Sequence, residues 1–324
     1  MAEPVATRVR LLDLHPPEAN FREDALAGLR ADQKTLSPKY FYDARGSVLF
    51  DEITAIPEYY LTRAEMAIMD QYLDEMANCA GPEVSVIEFG AGSGLKTRRL
   101  LAALISPVAY VPVEISKDHL LESAETIAEE FPNLEVLPVC ADFTHPFQLP
   151  DPSRMPLRNL VYFPGSTIGN FTHQQARSLL QVMHAEAGAG GALLIGVDLR
   201  KERRTLERAY NDDAGVTAEF NLNLLARMNR ELDAKFDLNL FDHRADWNAE
   251  AGRIEMRLVS KADQLVDVCE EAIHFAKDEA ILTELSYKYE IGEFAALAKG
   301  VGFEIARVWT DADSLFSVQF LTRE

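Results

Sequence analysis

Residues 86–97 read "VIEFGAGSGLKT", an apolar run followed by glycine at 90, 92 and 94, then a lysine and a threonine. Glycines so spaced let a backbone turn sharply and approach a ligand closely. Register excludes two familiar phosphate-binding loops. A P-loop requires GxxxxGK[ST], and here Leu95 separates Gly94 from Lys96, so the lysine is out of place. A dinucleotide loop requires GxGxxG, but the sixth position counted from Gly90 is Leu95. What remains is ExGxGxG, running from Glu88 at the end of an expected strand into an expected helix.

Outward from the loop the chain alternates β and α. "VSVIEF", "VAYVPVEI", "EVLPVCAD", "NLVYFPG" and "ALLIGVDL" are short apolar runs. Between them lie helical stretches such as "LKTRRLLAALI" and "SKDHLLESAETIAEEF", the latter capped by Ser116, and a helix from Thr172 to about Ala187. Buried strands joined by helical crossovers predict a parallel sheet covered on both faces. From about 200 to 289 the texture changes to two helical segments, Lys201 to Tyr210 and Thr217 to Leu232, then alternating strands around "RIEMRLV" and "AILTELSYKY". A helix, "IGEFAALAKGVGF", and two strands, "EIARVWT" and "LFSVQFL", close the chain. Residues 1–61 read as irregular; Thr62 and Glu65 then have capping-box spacing and predict a helix start. The expectation is an α/β protein with a Rossmann-like, mostly parallel seven-stranded sheet from 62–200 and 290–324. A second, α+β lobe is expected from 1–61 and 201–289.

ExGxGxG in this setting is how class I S-adenosylmethionine (SAM) methyltransferases begin. Two further acids support that choice. Glu114 ends the next strand, where an acid can bind both ribose hydroxyls. Asp142 ends the third, where it can accept from the adenine amino group while Phe143 covers the base. A solvated loop acid at 114 and a plain core phenylalanine at 143 are the ordinary alternatives.

The chain of 324 residues carries a formal net charge of -20, a field that repels phosphate backbones and anionic lipid surfaces. Nucleic acid and membrane partners are therefore not expected. Cys79, Cys140 and Cys269 lie far apart without CxxC spacing, which predicts reduced thiols and a cytoplasmic protein. "MAEPVATRVRLLDLH" has no signal-peptide apolar core. The histidines show no HExxH or His–carboxylate spacing, so no metal is expected.

Longer motifs carry a closer resemblance. "YFYDARGSVLFDEITAIPEYYLTRAE", "FPGSTIGN", "AYNDDAGVTAEFNLNLLARMNRELDAKFDL", "RIEMRLV" and "LTELSYKY" resemble the histidine-specific N-α-methyltransferases of ergothioneine biosynthesis, over nearly the whole chain after about residue 20. The resemblance implies three SAM-dependent methylations of histidine to its betaine, hercynine, with a second lobe that, together with the N-terminal segment, closes over the amino acid; a monomer is expected. It puts the substrate carboxylate near Tyr59, Asn170 and Tyr210, and the amine near Tyr42 and the Gly165 backbone. Glu284 and Ser286 fall at the imidazole, with Met256 lining the pocket. SAM falls to Gly90, Gly92, Lys96, Glu114, Asp142 and Phe143.

The chemistry is consistent with these residues. In a strand, Glu284 and Ser286 share a face while Leu285 and Tyr287 share the other. A carboxylate beside a hydroxyl can serve both imidazole nitrogens, and would reject an apolar ring at a cost of ~1–3 kcal/mol per unsatisfied group. By periodicity alone Met256 is a core residue between Ile254 and Leu258. Methyl transfer to the neutral α-amine is an in-line displacement in which alignment alone can be worth up to ~7–11 kcal/mol. A strong general base is not required; Tyr42 is a reasonable orienting group, and Arg63, Arg98 and Arg99 are alternative carboxylate clamps. Competing readings are methylation of another amino acid such as a tryptophan derivative, which Glu284 disfavours, and a catalytically silent SAM-binding lobe. An NAD-dependent oxidoreductase fails on the missing sixth-position glycine.

Overall fold

The apolar runs around the glycine loop form the centre of one large sheet. The structure, a computed structural model, describes residues 9–16, 20–91 and 94–323. The chain divides into two units: Met1–Glu18, Ala64–Leu199 and Tyr289–Glu324 form the first, and Ala19–Arg63 with Arg200–Lys288 the second.

In the first unit the sheet runs Leu12–Asp13, Val139–Cys140, Ala109–Glu114, Val84–Phe89, Arg158–Phe163, Ala192–Asp198, Phe316–Arg323, Phe303–Thr310. Pairing is parallel from Leu12–Asp13 through Ala192–Asp198, and Phe316–Arg323 is antiparallel to both its neighbours. Strand order reverses at Val84–Phe89, buried at all six residues, so the loop at its carboxyl end opens at the switch point where ligands bind in such sheets. "EVLPVCAD" becomes two short pieces, Glu135–Val136 and Val139–Cys140. Pro138 between them has no N–H to give the ladder. With that interrupted strand counted once and the edge pair at Leu12 set aside, this is the expected seven-stranded, mostly parallel sheet.

Two expectations change here. The whole of 1–61 is expected in the second lobe, but Leu12–Asp13 adds a parallel edge strand to the large sheet, Leu12 against Val139 and Asp13 against Cys140. The helix expected from Thr62 instead spans Tyr60–Ala80, so Thr62 is already helical and cannot cap it. Local spacing suggested a cap; the carboxylate of Glu65 has a tertiary role instead.

The second unit is built on a three-stranded antiparallel sheet ordered Ala280–Tyr287, Arg253–Ser260, Phe241–Asn248. A hairpin, Gln264–Val268 with Glu271–Phe275, and the helices Arg203–Tyr210 and Val216–Glu231 complete this part. The hairpin was not anticipated. Nor were the helices Phe21–Leu29 and Ala44–Ala55 in the segment read as irregular. Asp43 starts the second of them by accepting from the Gly46 N–H at 2.7 Å. A side chain at Gly46 would sit 1.7 Å from the Phe41 carbonyl oxygen, so "FYDARG" can make this turn only with glycine there.

Candidate active site

At the carboxyl edge of the large sheet the chain turns out of Val84–Phe89 at Gly90, whose φ is +76°. Its N–H donates to the Val113 carbonyl at 2.9 Å, and a Cβ there would stand 3.6 Å from the Phe143 ring. A glycine keeps this bend unstrained and leaves the space above it open. Gly94, φ +71°, is the N-cap of the helix Leu95–Ala103. Gly92, a candidate SAM residue, lies outside the described residues. Below the loop, Glu88 is buried and accepts from the Thr97 hydroxyl at 2.7 Å; burial pushes its carboxyl up to about 7.

Glu114 ends the neighbouring strand half-buried. Burial raises its carboxyl, and the Ile115 N–H, donating at 2.8 Å, partly opposes that. Burial also raises Asp142, but there the opposing bonds win. The Thr144 hydroxyl and N–H donate at 2.6 and 2.9 Å and, with His145, hold Asp142 below its ordinary value. The Phe143 ring lies tilted at 42° against that of Phe89, centroids 5.7 Å apart. Strand-end acids and an aromatic beside an open glycine turn offer acceptors for hydroxyls and an amine and an apolar surface for a base. That donor set fits SAM.

The structure puts Lys96 in an ion pair with Glu65, which is 1% exposed. Glu65 also accepts from the Gly165 N–H at 2.9 Å. The Gly165 N–H is thus turned inward and held by the Glu65 carboxylate. A side chain at Gly196 would come 2.3 Å from the Glu65 carboxylate, so the strand Ala192–Asp198 makes room for it with glycine. Gly165, φ +80°, and Ser166, φ +56°, lead into the 3-10 turn Thr167–Asn170, which presents Asn170 half-buried beyond the strand Arg158–Phe163. Ser166 is locked by accepting from the Asp198 N–H at 2.9 Å.

In the second unit a different cluster forms. Glu284 pairs across the sheet with Met256, and Ser286 with Ile254. A bulge between Leu282 and Glu284 resets the alternation just before them. The opposite face carries Arg253, Glu255 and Arg257 in a row of ion pairs, with Tyr287 against Arg253. Met256 is 2% exposed. The hydroxyls of Ser286 and Tyr210 lie 2.8 Å apart, and the buried Lys288 Nζ donates to both, at 2.9 and 2.8 Å. Burial pushes Glu284 up to about 7, with the Lys288 charge opposing. Tyr59 meets the Tyr210 ring edge-on at 6.3 Å. Tyr42 stays half exposed, edge-on to Phe50 and Phe220, and desolvation with the Glu284 charge raises its hydroxyl above the ordinary value.

Supporting groups escaped the sequence reading. His243 donates from Nε2 to the Tyr210 carbonyl at 2.7 Å while its Nδ1 accepts from Asn221 at 2.9 Å. Burial lowers its basicity, consistent with the neutral ring this pattern needs. Asp43 accepts from Asn223 at 2.8 Å, fixing the turn that carries Tyr42. Alternation from Glu284 through Ser286 reaches Lys288, whereas no local pattern points to His243 and the spacing at Glu65 suggests only a cap. The three arginines considered as clamps are engaged elsewhere. Arg63 donates to the Ile56 and Tyr59 carbonyls at 2.7 and 2.9 Å, Arg98 pairs with Glu130 at 2.9 Å, and Arg99 pairs with Asp70. Among the described residues no group of three or more His, Cys, Asp or Glu is arranged to hold a metal ion, and no helix is long and apolar enough to cross a membrane.

Sheet order, glycine turn and strand-end acids together define a class I SAM-dependent methyltransferase. Residues 21–323 match the family described as histidine-specific methyltransferase, SAM-dependent, and the chain belongs to it. It is 40% identical over 308 residues to the histidine N-alpha-methyltransferase of Mycolicibacterium smegmatis, spanning 93% of this chain and 94% of that protein. Identity to the histidine N-alpha-methyltransferase of Mycobacterium tuberculosis is 39% over the same shares. Ergothioneine biosynthesis protein 1 of Schizosaccharomyces pombe is 26% identical over 87% of this chain, which covers 38% of that longer protein. The protein is a SAM-dependent histidine methyltransferase.

Proposed function

We propose that the protein transfers three methyl groups in succession to the α-amine of L-histidine, giving hercynine. The observation that carries the reading is the polar face Glu284–Ser286 beside Met256, with Tyr210 hydrogen-bonded to Ser286. In this reading Ser286 accepts from one imidazole N–H and Glu284 serves the other nitrogen. A carboxyl near 7 can pair with an imidazolium or give a proton to a neutral ring, so the couple carries one shared proton. Tyr59, Tyr210 and Asn170 hold the substrate carboxylate with neutral donors, which suits a site already rich in acids. The Gly165 carbonyl and Tyr42 orient the amine. Gly90, Gly92, Glu114, Asp142 and Phe143 hold SAM, which supplies an electrophilic methyl group.

Lys96 is assigned a different part. Its pairing with Glu65 supports a role in fixing the Gly165 peptide, through which it acts on the amine side. Repeated methylation removes N–H donors from the amine, so an orienting contact that also accepts an ammonium, such as a carbonyl or a tyrosine oxygen, suits all three rounds. The same reading has the protein acting on free histidine as a cytoplasmic monomer without a metal; the three unpaired cysteines support the compartment.

The purified protein incubated with SAM and each of the twenty amino acids separately, with products read by mass, tests this. A three-methyl gain on histidine alone is expected. Accumulation of a mono- or dimethylated end product would refute the trimethylation, and gain on another amino acid would refute the pocket assignment.

A further inference from the structure

The strand Ala280–Tyr287 breaks its own register. Ile281 lies opposite Leu258, Leu282 opposite Arg257, and the next paired residue is Glu284, opposite Met256. Thr283 is the extra residue between them. Successive side chains of a strand point to opposite faces, so two residues three apart share a face only where a residue is inserted. Ile281 and Glu284 are such a pair, facing the buried Leu258 and Met256. Were Thr283 paired in ordinary register, it would fall opposite Met256, and Leu285 opposite Ile254. Glu284 would then meet Glu255, a like-charge pair that costs stability. Thr283 is itself 1% exposed, and its hydroxyl donates to the Met256 carbonyl at 3.1 Å. On the other edge of the strand the Leu282 N–H donates to the Lys34 carbonyl at 2.8 Å, and the Leu282 carbonyl accepts from the Leu36 N–H at 2.9 Å. The bulge is pinned from both sides.

We propose that Thr283 is a positioning residue for substrate recognition: its bulge aims Glu284 at the imidazole, and its hydroxyl holds the bulge in place. Strict alternation from Ile281 would bury Thr283 and Leu285 on the recognition face and turn the carboxylate to the row of ion pairs behind it. The inserted residue lets one strand face begin apolar, at Ile281, and continue polar, at Glu284. The inference rests on the reading above in which Glu284 meets the substrate ring. Without the Thr283 hydroxyl the buried Met256 carbonyl loses a donor one residue from Glu284, and the carboxylate is no longer held in one place. Thr283 touches no substrate in this account and acts through Glu284.

The test compares Thr283→Val, Thr283→Ser, Glu284→Ala and the double variant T283V/E284A in the full chain, by steady-state kinetics with histidine, calorimetric SAM binding and thermal melts. T283V keeps the branched shape and drops the hydroxyl. It is expected to raise the KM for histidine about 5- to 30-fold, with a smaller change in kcat and SAM affinity within about twofold of the parent. T283S keeps the hydroxyl and is expected to stay within about threefold of the parent KM. Thr283→Ala serves as the probe if T283V does not fold. The double variant is expected to be no worse than the poorer single variant, because Thr283 acts through Glu284. A merely structural Thr283 would lower the melting temperature and leave the histidine KM unchanged, or weaken SAM and histidine binding equally. Either result, with E284A still raising the KM, overturns the inference and leaves the reading of Glu284 standing. Effects of T283V and E284A that multiply in the double variant also overturn it. An unchanged KM in E284A overturns both.

Discussion

The carboxyl edge of the large sheet and the strand face of the second unit both gather polar groups, but they hold them in opposite ways. At the sheet edge each group stands on its own turn. Gly90 and Gly165 bend with positive φ, and Asp142 is fixed by its neighbour Thr144. Around the strand Ala280–Tyr287 the groups depend on one another, Lys288 to Ser286 to Tyr210 on its helix, with His243 holding the Tyr210 backbone. Local constraints give sites a sequence can announce. Shared constraints give sites that change together when one member is lost.

The largest break in this contrast is expected at Gly90. Gly90→Val puts a β-branched residue at φ +76° and a side chain toward Phe143, and should abolish measurable SAM binding in calorimetry while leaving the lobe folded. In the lobe, Met256→Ala is expected to cost about 2–5 kcal/mol of unfolding free energy in denaturant titration, against less than about 1.5 for Met256→Leu. If Met256→Ala raises the histidine KM without lowering stability, Met256 is a pocket wall more than a core residue.

Glu284→Ala is expected to raise the histidine KM by about 10- to 100-fold and to narrow the preference over amino acids with apolar rings, with SAM binding unchanged. Loss of SAM binding as well would mean that the polar groups of the protein are coupled more widely than the contrast allows. The smallest effect is a pH slope. Glu284 sits near 7 in the folded protein and near 4.5 in the unfolded chain. Between those values the folded state keeps a proton the unfolded state has released, so stability falls as pH rises from about 4.5 to 7. Glu284→Gln should flatten that slope across the window in thermal melts at stepped pH, leaving the shares due to Glu88 and Glu186. An unchanged slope would show that Glu284 is better solvated than its surroundings suggest.

How far each region could be read in advance follows from the range of the forces that fix it. Gly90, Gly94, Glu114 and Asp142 are legible because strand ends and glycine turns are set by residues next to them in the chain. Alternation put Glu284 and Ser286 on one side, and the structure keeps them there despite the bulge after Leu282. The capping-box reading of Thr62 and Glu65 failed for the converse reason. A carboxylate three residues after a threonine satisfies a local pattern, yet Lys96 and the Gly165 N–H, both distant in sequence, hold Glu65 instead. A charged group taken out of water is placed by whichever distant partners can offset its desolvation, and spacing does not record them.

The sequence by itself therefore determined the doubly wound sheet, the glycine turn and the family, because apolar periodicity, glycine geometry and long motifs are properties of contiguous residues. Only the tertiary structure decided that Lys96 pairs with Glu65, that the first strand belongs to the large sheet, and that Lys288 binds the hydroxyls of both Tyr210 and Ser286. Those are hydrogen bonds and ion pairs between residues far apart in the chain. They exist only once the chain has folded and burial has made every unpaired polar atom costly.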